Sequence, residues 1–255
     1  HTGIALTIAT LAYTFQIYAD FSAYTDVARG TAQVLGFRLM ENFKQPYFAT
    51  SINDFWRRWH MSLSFWFRDY LYIPLGGNRV PVPRWALNIL VVFMVCGLWH
   101  GANWTFVIWG GLHGLYIVSG RFTKPYRDRA ADAIGLNRVP VARHAIQMLI
   151  TFSLVSFAWL FFRAKDMNTG LYIASHLFTD WYLDPAFLKA LVASLGLAQG
   201  EWLIIVVTLA LLLIVDIGQY RKGAFAWLER RPIYLRWAIY SGIAWAIFTL
   251  GIFAK

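Results

Sequence analysis

Residues 85–119 read WALNILVVFMVCGLWHGANWTFVIWGGLHGLYIVS, two long apolar arms that meet at His100 with no polar loop between them. Trp85–Trp99 is apolar apart from Asn88, and Gly101–Ser119 carries no Asp, Glu, Lys or Arg, so the pair reads as two membrane helices folded sharply together. At about 1.5 Å per residue the first arm covers roughly 22 Å, less than a hydrocarbon core of roughly 30 Å, which puts the turn inside the bilayer rather than at its surface. An ionisable group at that depth is costly and usually faces protein or a water-filled cavity. His100 therefore reads either as a functional group or as a hydrogen-bonded core histidine, and position alone leaves both open.

Composition extends this reading to the whole chain. Of 255 residues, 58% are hydrophobic and only 14% charged, with 13 Trp and a mean hydropathy of +0.48, which excludes a soluble globular domain. The net charge of +10 does not signal nucleic acid, because the basic residues fall in short loops between apolar segments, as cytoplasmic retention requires. The single cysteine, Cys96, lies in an apolar run and reads as a small buried hydrophobe, so neither a disulfide framework nor a cysteine metal site is expected. The chain opens in mid-pattern at His1, with no basic segment and cleavage site of a signal peptide, and reads as the C-terminal part of a longer polypeptide.

Six segments are apolar enough to span: Gly3–Ala19, Trp85–Trp99, Gly101–Ser119, Ala145–Phe162, Trp202–Ile217 and Tyr234–Phe253. The predicted fold is all-α, a polytopic helical bundle over residues 1–255 as one transmembrane domain. Residues Asp20–Arg84 are too polar to span and too aromatic for a free linker, and are expected to form short interfacial or re-entrant helices. The loop Arg121–Arg143 holds six basic and two acidic residues, net +4, whereas Arg163–Glu201 holds three basic and four acidic, net −1. The first, and the later loop with Arg221, Lys222, Arg230 and Arg231, are therefore assigned to the cytoplasm, and the second to the outside. No internal repeat is visible, which disfavours an inverted-repeat transporter.

Chemistry concentrates in residues 51–79, SINDFWRRWHMSLSFWFRDYLYIPLGGNR. If Asp54–Tyr70 is one helix, Trp56, Trp59 and His60 share a face with Leu63 and Phe67, while Arg57, Arg58 and Arg68 fall on other faces. The bland reading is an aromatic belt with arginines on lipid phosphates; the functional one is a histidine on aromatic surface beside cations able to clamp the phosphates of an acyl donor. Pro74–Arg79 supplies turn chemistry and lacks the ending of a phosphate-binding P-loop. There is no nucleophile elbow, HExxH or paired carboxylate, so any catalysis rests on histidine, whose imidazole can take a proton from a hydroxyl and return it to a leaving group. His113, among Gly110, Gly111 and Gly114, reads foremost as a mark of close helix packing, and His144 and His176 as loop or interface residues.

At YADFSAYTDVARGTAQVLGF, ENFKQPYFATSINDFWRRWHMSLSFWFRDYLYIPLGGNR and LWHGANWTFVIWGGLHG the chain resembles the membrane-bound O-acyltransferase (MBOAT) family, in particular its bacterial branch that serves alginate O-acetylation. The family signature is a near-invariant histidine late in the chain, preceded by a second histidine or an Asn or Asp in a Trp-rich segment; here those positions look like His100 and His60. The resemblance implies a ring of tilted helices around a thinned centre, with further N-terminal helices. It also implies acyl transfer from a cytosolic thioester, acetyl-CoA, with no bound cofactor and no metal. His100 would be general base or transient acyl carrier, His60 would orient the acceptor or stabilise charge, and Trp56, Trp59, Trp99 and Asn103 would shape the pocket. Implied partners are periplasmic SGNH-type acetyltransferases and membrane lipids, and the implied location is the bacterial inner membrane. The D-alanyl branch shares ENF and FWxRWHMSLSFWFRDY, but YLYIPLGGNR favours acetyl transfer. A rival from another class is a non-catalytic export or assembly protein with the histidines as a proton relay.

Overall fold

The computed structural model describes residues 2–181, 199–222 and 228–250, with single positions 184, 187 and 193. The described residues are helices and turns without a strand, as an all-α membrane protein requires. They fall into two compact units, residues 1–197 and 198–255. The first contains α1 (Gly3–Val34), α2 (Ile52–Trp56), α3 (Met61–Phe67), α4 (Val82–His100), α5 (Trp104–Ala133), α6 (Pro140–Arg163) and α7 (Met167–His176). The second contains α8 (Gln199–Lys222) and α9 (Ile233–Leu250).

Each of the six apolar segments falls in a helix apart from Gly101–Asn103, which form the turn before α5, and the last three residues of Tyr234–Phe253, which lie outside the described residues. Among the described residues, α1, α4, α6 and residues Gly200–Tyr220 of α8 are long and apolar enough to cross a membrane. In the first unit α4 and α5 form the closest pair, because Gly97 and Gly110 let the backbones touch: a Cβ at either would collide with the carbonyl of Phe106 or Phe93 respectively. α6 packs on both α1 and α5, and the short α2 sits against α5 and α6. The polar Asn88 in α4 is fully buried, and its Nδ2 donates to Leu75 O at 2.9 Å, tying the helix to the Pro74–Arg79 turn.

Four expectations are corrected. Asp20–Arg84 is not uniformly short helices, since α1 continues through Asp20 to Val34, 32 residues or about 48 Å. No residue in that stretch breaks a helix until Gly36, which adopts φ 86°, while the Phe37 amide caps Ala32 O at 2.8 Å. α4 starts at Val82 and reaches about 28 Å, so its length no longer requires the turn at His100 to lie within the bilayer core. Asp54–Tyr70 is not one helix: it breaks between Trp56 and Met61, and α3 runs on into a π-helical turn at Arg68–Tyr72. The basic loop Arg121–Arg143 is largely helical, with α5 running on to Ala133, and part of Arg163–Glu201, including Lys189, lies outside the described residues.

Candidate active site

The break before Met61 aims His60. Its backbone is left-handed, φ 42° and ψ 55°, a conformation that histidine visits more readily than most residues. The segment Asn42–Lys44 locks it from outside: the Lys44 amide donates to Arg58 O at 2.9 Å, and the Met61 amide to Asn42 O at 3.1 Å. The Asn42 side chain accepts from the Ser62 amide at 3.0 Å, serving as a remote cap for α3. Phe43 and Phe21 flank the turn, with Phe43 4.9 Å from the Trp59 ring and Phe21 4.7 Å from His60. Burial draws the His60 imidazole below its ordinary value, to about 4, so it is neutral at physiological pH.

His100 is the last residue of α4. Its ring meets Trp99, Trp109 and Phe162 edge-on at 4.9, 5.1 and 5.1 Å. Asn103 makes the reversal abrupt, accepting from the Thr105 amide at 3.1 Å as N-cap of α5 while its Nδ2 donates to Lys165 O at 3.1 Å.

These two constructions converge. A cleft of about 490 Å³ is lined by Tyr13, Gln16, Ile17, Asp20 and Phe21 of α1, His60, Trp99 and His100, and Phe162 of α6. Beside it an aromatic cluster joins the two histidine-bearing elements, with Trp59 5.0 Å from Trp159, Trp159 5.6 Å from Trp109, and Trp109 in turn against His100. A smaller cavity of about 140 Å³ includes Trp56, Arg68 and Cys96 in its lining, and a groove of about 620 Å³ along α6 touches neither His60 nor His100.

The sequence profile of the membrane-bound O-acyltransferase family matches residues 1–162, the part of the chain that builds this cleft. The chain belongs to that family. It is 41% identical over 217 residues to the probable alginate O-acetylase AlgI of Pseudomonas syringae pv. tomato, covering 84% of this chain and 39% of that protein. It is also 43% identical over 164 residues to the peptidoglycan O-acetyltransferase of Helicobacter pylori (64% of this chain, 30% of that one). With the teichoic acid D-alanyltransferase of Bacillus subtilis it shares 32% over 165 residues (61% and 40%). The chain thus spans less than half the length of these relatives.

Of the residues expected to form the site of this acyltransferase-family protein, the structure brings His60, His100 and Trp99 to one cleft. Trp56 and Trp59 do not line it; they are buried in the aromatic core, and Asn103 serves the turn. The three arginines do not line it either. Arg58 bonds Asp54 through Nε at 2.7 Å, Arg68 grips its neighbour Asp69 at 2.7 and 3.1 Å while bordering the smaller cavity, and Arg57 is exposed. Sequence reasoning missed Tyr13, Gln16, Asp20 and Asn42. The signal for the first three was helical spacing, since they recur on one face of α1 and put an amide and a carboxylate one turn apart in an apolar helix.

Proposed function

We propose that this chain carries the reaction centre of an O-acyltransferase of the bacterial inner membrane. The enzyme moves an acetyl group from a cytosolic thioester, acetyl-CoA, to a hydroxyl that enters from outside, and serves O-acetylation of an extracytoplasmic polysaccharide of the alginate kind. The observation that carries this reading is the meeting of His60 and His100, forty residues apart in sequence, in one cleft. The higher identity to relatives named for O-acetylation than to the one named for D-alanyl transfer, 41% and 43% against 32%, supports acetyl as the group moved.

In this mechanism His100 accepts the proton of the acceptor hydroxyl as its oxygen attacks the thioester carbonyl. The carbon–sulfur bond then breaks, and the imidazolium returns the proton to the departing thiolate, leaving an ester and a free thiol. The neutral His60 fixes the hydroxyl or the developing oxyanion by a hydrogen bond, and Gln16 and Asp20 hold the acceptor's other polar groups. The immediate acceptor is a periplasmic SGNH-type acetyltransferase, which hands the group to the polymer. Membrane lipids surround the outer helix faces, and nucleic acid has no part.

The test is cleavage of acetyl-CoA by the purified protein, with and without acceptor. Acceptor-stimulated release of free thiol is expected, and none in either condition would favour an export or assembly protein instead. Of these three arginines, Arg68 borders the smaller cavity described above, so Arg68→Gln should weaken acetyl-CoA binding about tenfold through loss of a charge-assisted hydrogen bond. Arg58→Gln, which removes a partner of Asp54, should lower stability and leave donor affinity unchanged. Equal affinity in wild type and Arg68→Gln would remove Arg68 from donor binding.

A further inference from the structure

His113 lies in the N-terminal third of α5 with 0% of its surface exposed, enclosed by the rings of Phe55, Trp56, Trp109 and Trp159. Trp56 Nε1 donates to its Nδ1 at 3.1 Å. An indole N–H can only donate, so Nδ1 is the accepting nitrogen and the ring proton sits on Nε2. That Nε2 has no hydrogen-bond partner among the described residues. A residue needed only to fill this apolar space would be better as phenylalanine, because a buried donor left unmet costs more than an apolar ring of similar size. What histidine supplies there, and phenylalanine does not, is an acceptor for Trp56.

The bond joins the two halves of the candidate site. Trp56 ends α2, and the turn that leaves it ends at His60; α5 is the helix that follows the reversal at His100. Trp109 stands between them, 5.1 Å from the His100 ring and 5.2 Å from that of His113. We propose that His113 is a positioning residue for acyl transfer: by accepting from Trp56 it fixes the His60 turn against the α4/α5 hairpin, and so sets the spacing of His60 and His100. This rests on the reading of their shared cleft as the active site.

The test compares kcat and the KM for acetyl-CoA in the purified protein across wild type, His100→Ala, His113→Phe, His113→Gln, Trp56→Phe and the Trp56→Phe/His113→Phe double variant, with thermal unfolding of each. His113→Phe should lower kcat about ten- to hundredfold with little change in KM, because the reacting groups are misplaced while donor contacts persist. His113→Gln, whose amide oxygen can accept from Trp56, should recover part of the loss. Trp56→Phe should resemble His113→Phe, and the double variant should be no worse than either, since one bond is lost once. Wild-type kcat in His113→Phe, equal losses in the Phe and Gln variants, or multiplicative losses in the double variant would each overturn the proposal. If His113→Phe does not fold, the comparison of His113→Gln with Trp56→Phe decides it, the former expected to be the more active. An inactive wild type would contradict the acyltransferase reading and this inference together, whereas an active wild type with an unaffected His113→Phe sinks this inference alone.

Discussion

His60 carries two demands that substitution can separate. Its left-handed backbone, φ 42°, suits Asn about as well as His and suits β-branched residues poorly, whereas its imidazole is required only by the proposed acyl transfer. His60→Asn should therefore fold like wild type and lose acyl transfer, while His60→Val should lose about 1–2 kcal/mol of stability as well. Thermal unfolding alongside the transfer assay checks this, and equal unfolding temperatures for the two variants would contradict the backbone argument. The candidacy of His60 was legible in its Trp-rich surroundings. Its conformation was not, because Asn42 and Lys44 impose it from a separate segment, and no local pattern encodes a bond of that kind. Trp56 and Trp59 illustrate the same limit, since helical spacing placed them beside His60 but the break after Trp56 turns them into the core.

Among the elements, the α4/α5 hairpin was the most legible, since two apolar arms without a loop can only double back on one another. Its closeness depends on Gly97 facing the Phe106 carbonyl, where no side chain fits. Gly97→Leu should force the helices apart at a cost of about 1–3 kcal/mol and shift His100 away from Trp109, lowering both folded yield and transfer. Gly120→Ala, on α5, the other arm of the hairpin, and in open space, should be silent in both measurements. A fully active Gly97→Leu protein would show that the close approach is not needed. The length of α1 was less legible: a window judged by apolarity ends at Ala19, while the backbone continues for as long as no residue stops it, and Gly36 is the first to do so. That continuation carries Asp20 and Phe21 into the cleft as part of one rigid helix.

For the molecule as a whole, the charge asymmetry of the loops sets the proposed orientation, with Arg121–Arg143 in the cytoplasm and Arg163–Glu201 outside. In a background where the buried Cys96 is replaced by alanine, a cysteine at Arg129 should resist an impermeant thiol reagent added outside, and one at Asp180 should react. Reversed labelling would overturn the orientation and move the donor to the other face. An orientation could be proposed from sequence because the rule behind it counts charge; the meeting of His60 with His100 could not be read there, because it depends on how α1, α4 and α6 close around the turn that carries His60. That meeting is the central claim, and turnover of acetyl-CoA with acceptor by His100→Ala protein, inserted and folded like wild type, tests it most directly. The account predicts a loss of roughly 10²-fold to 10⁴-fold, with His60→Asn also impaired. Near-wild-type transfer by His100→Ala would contradict it.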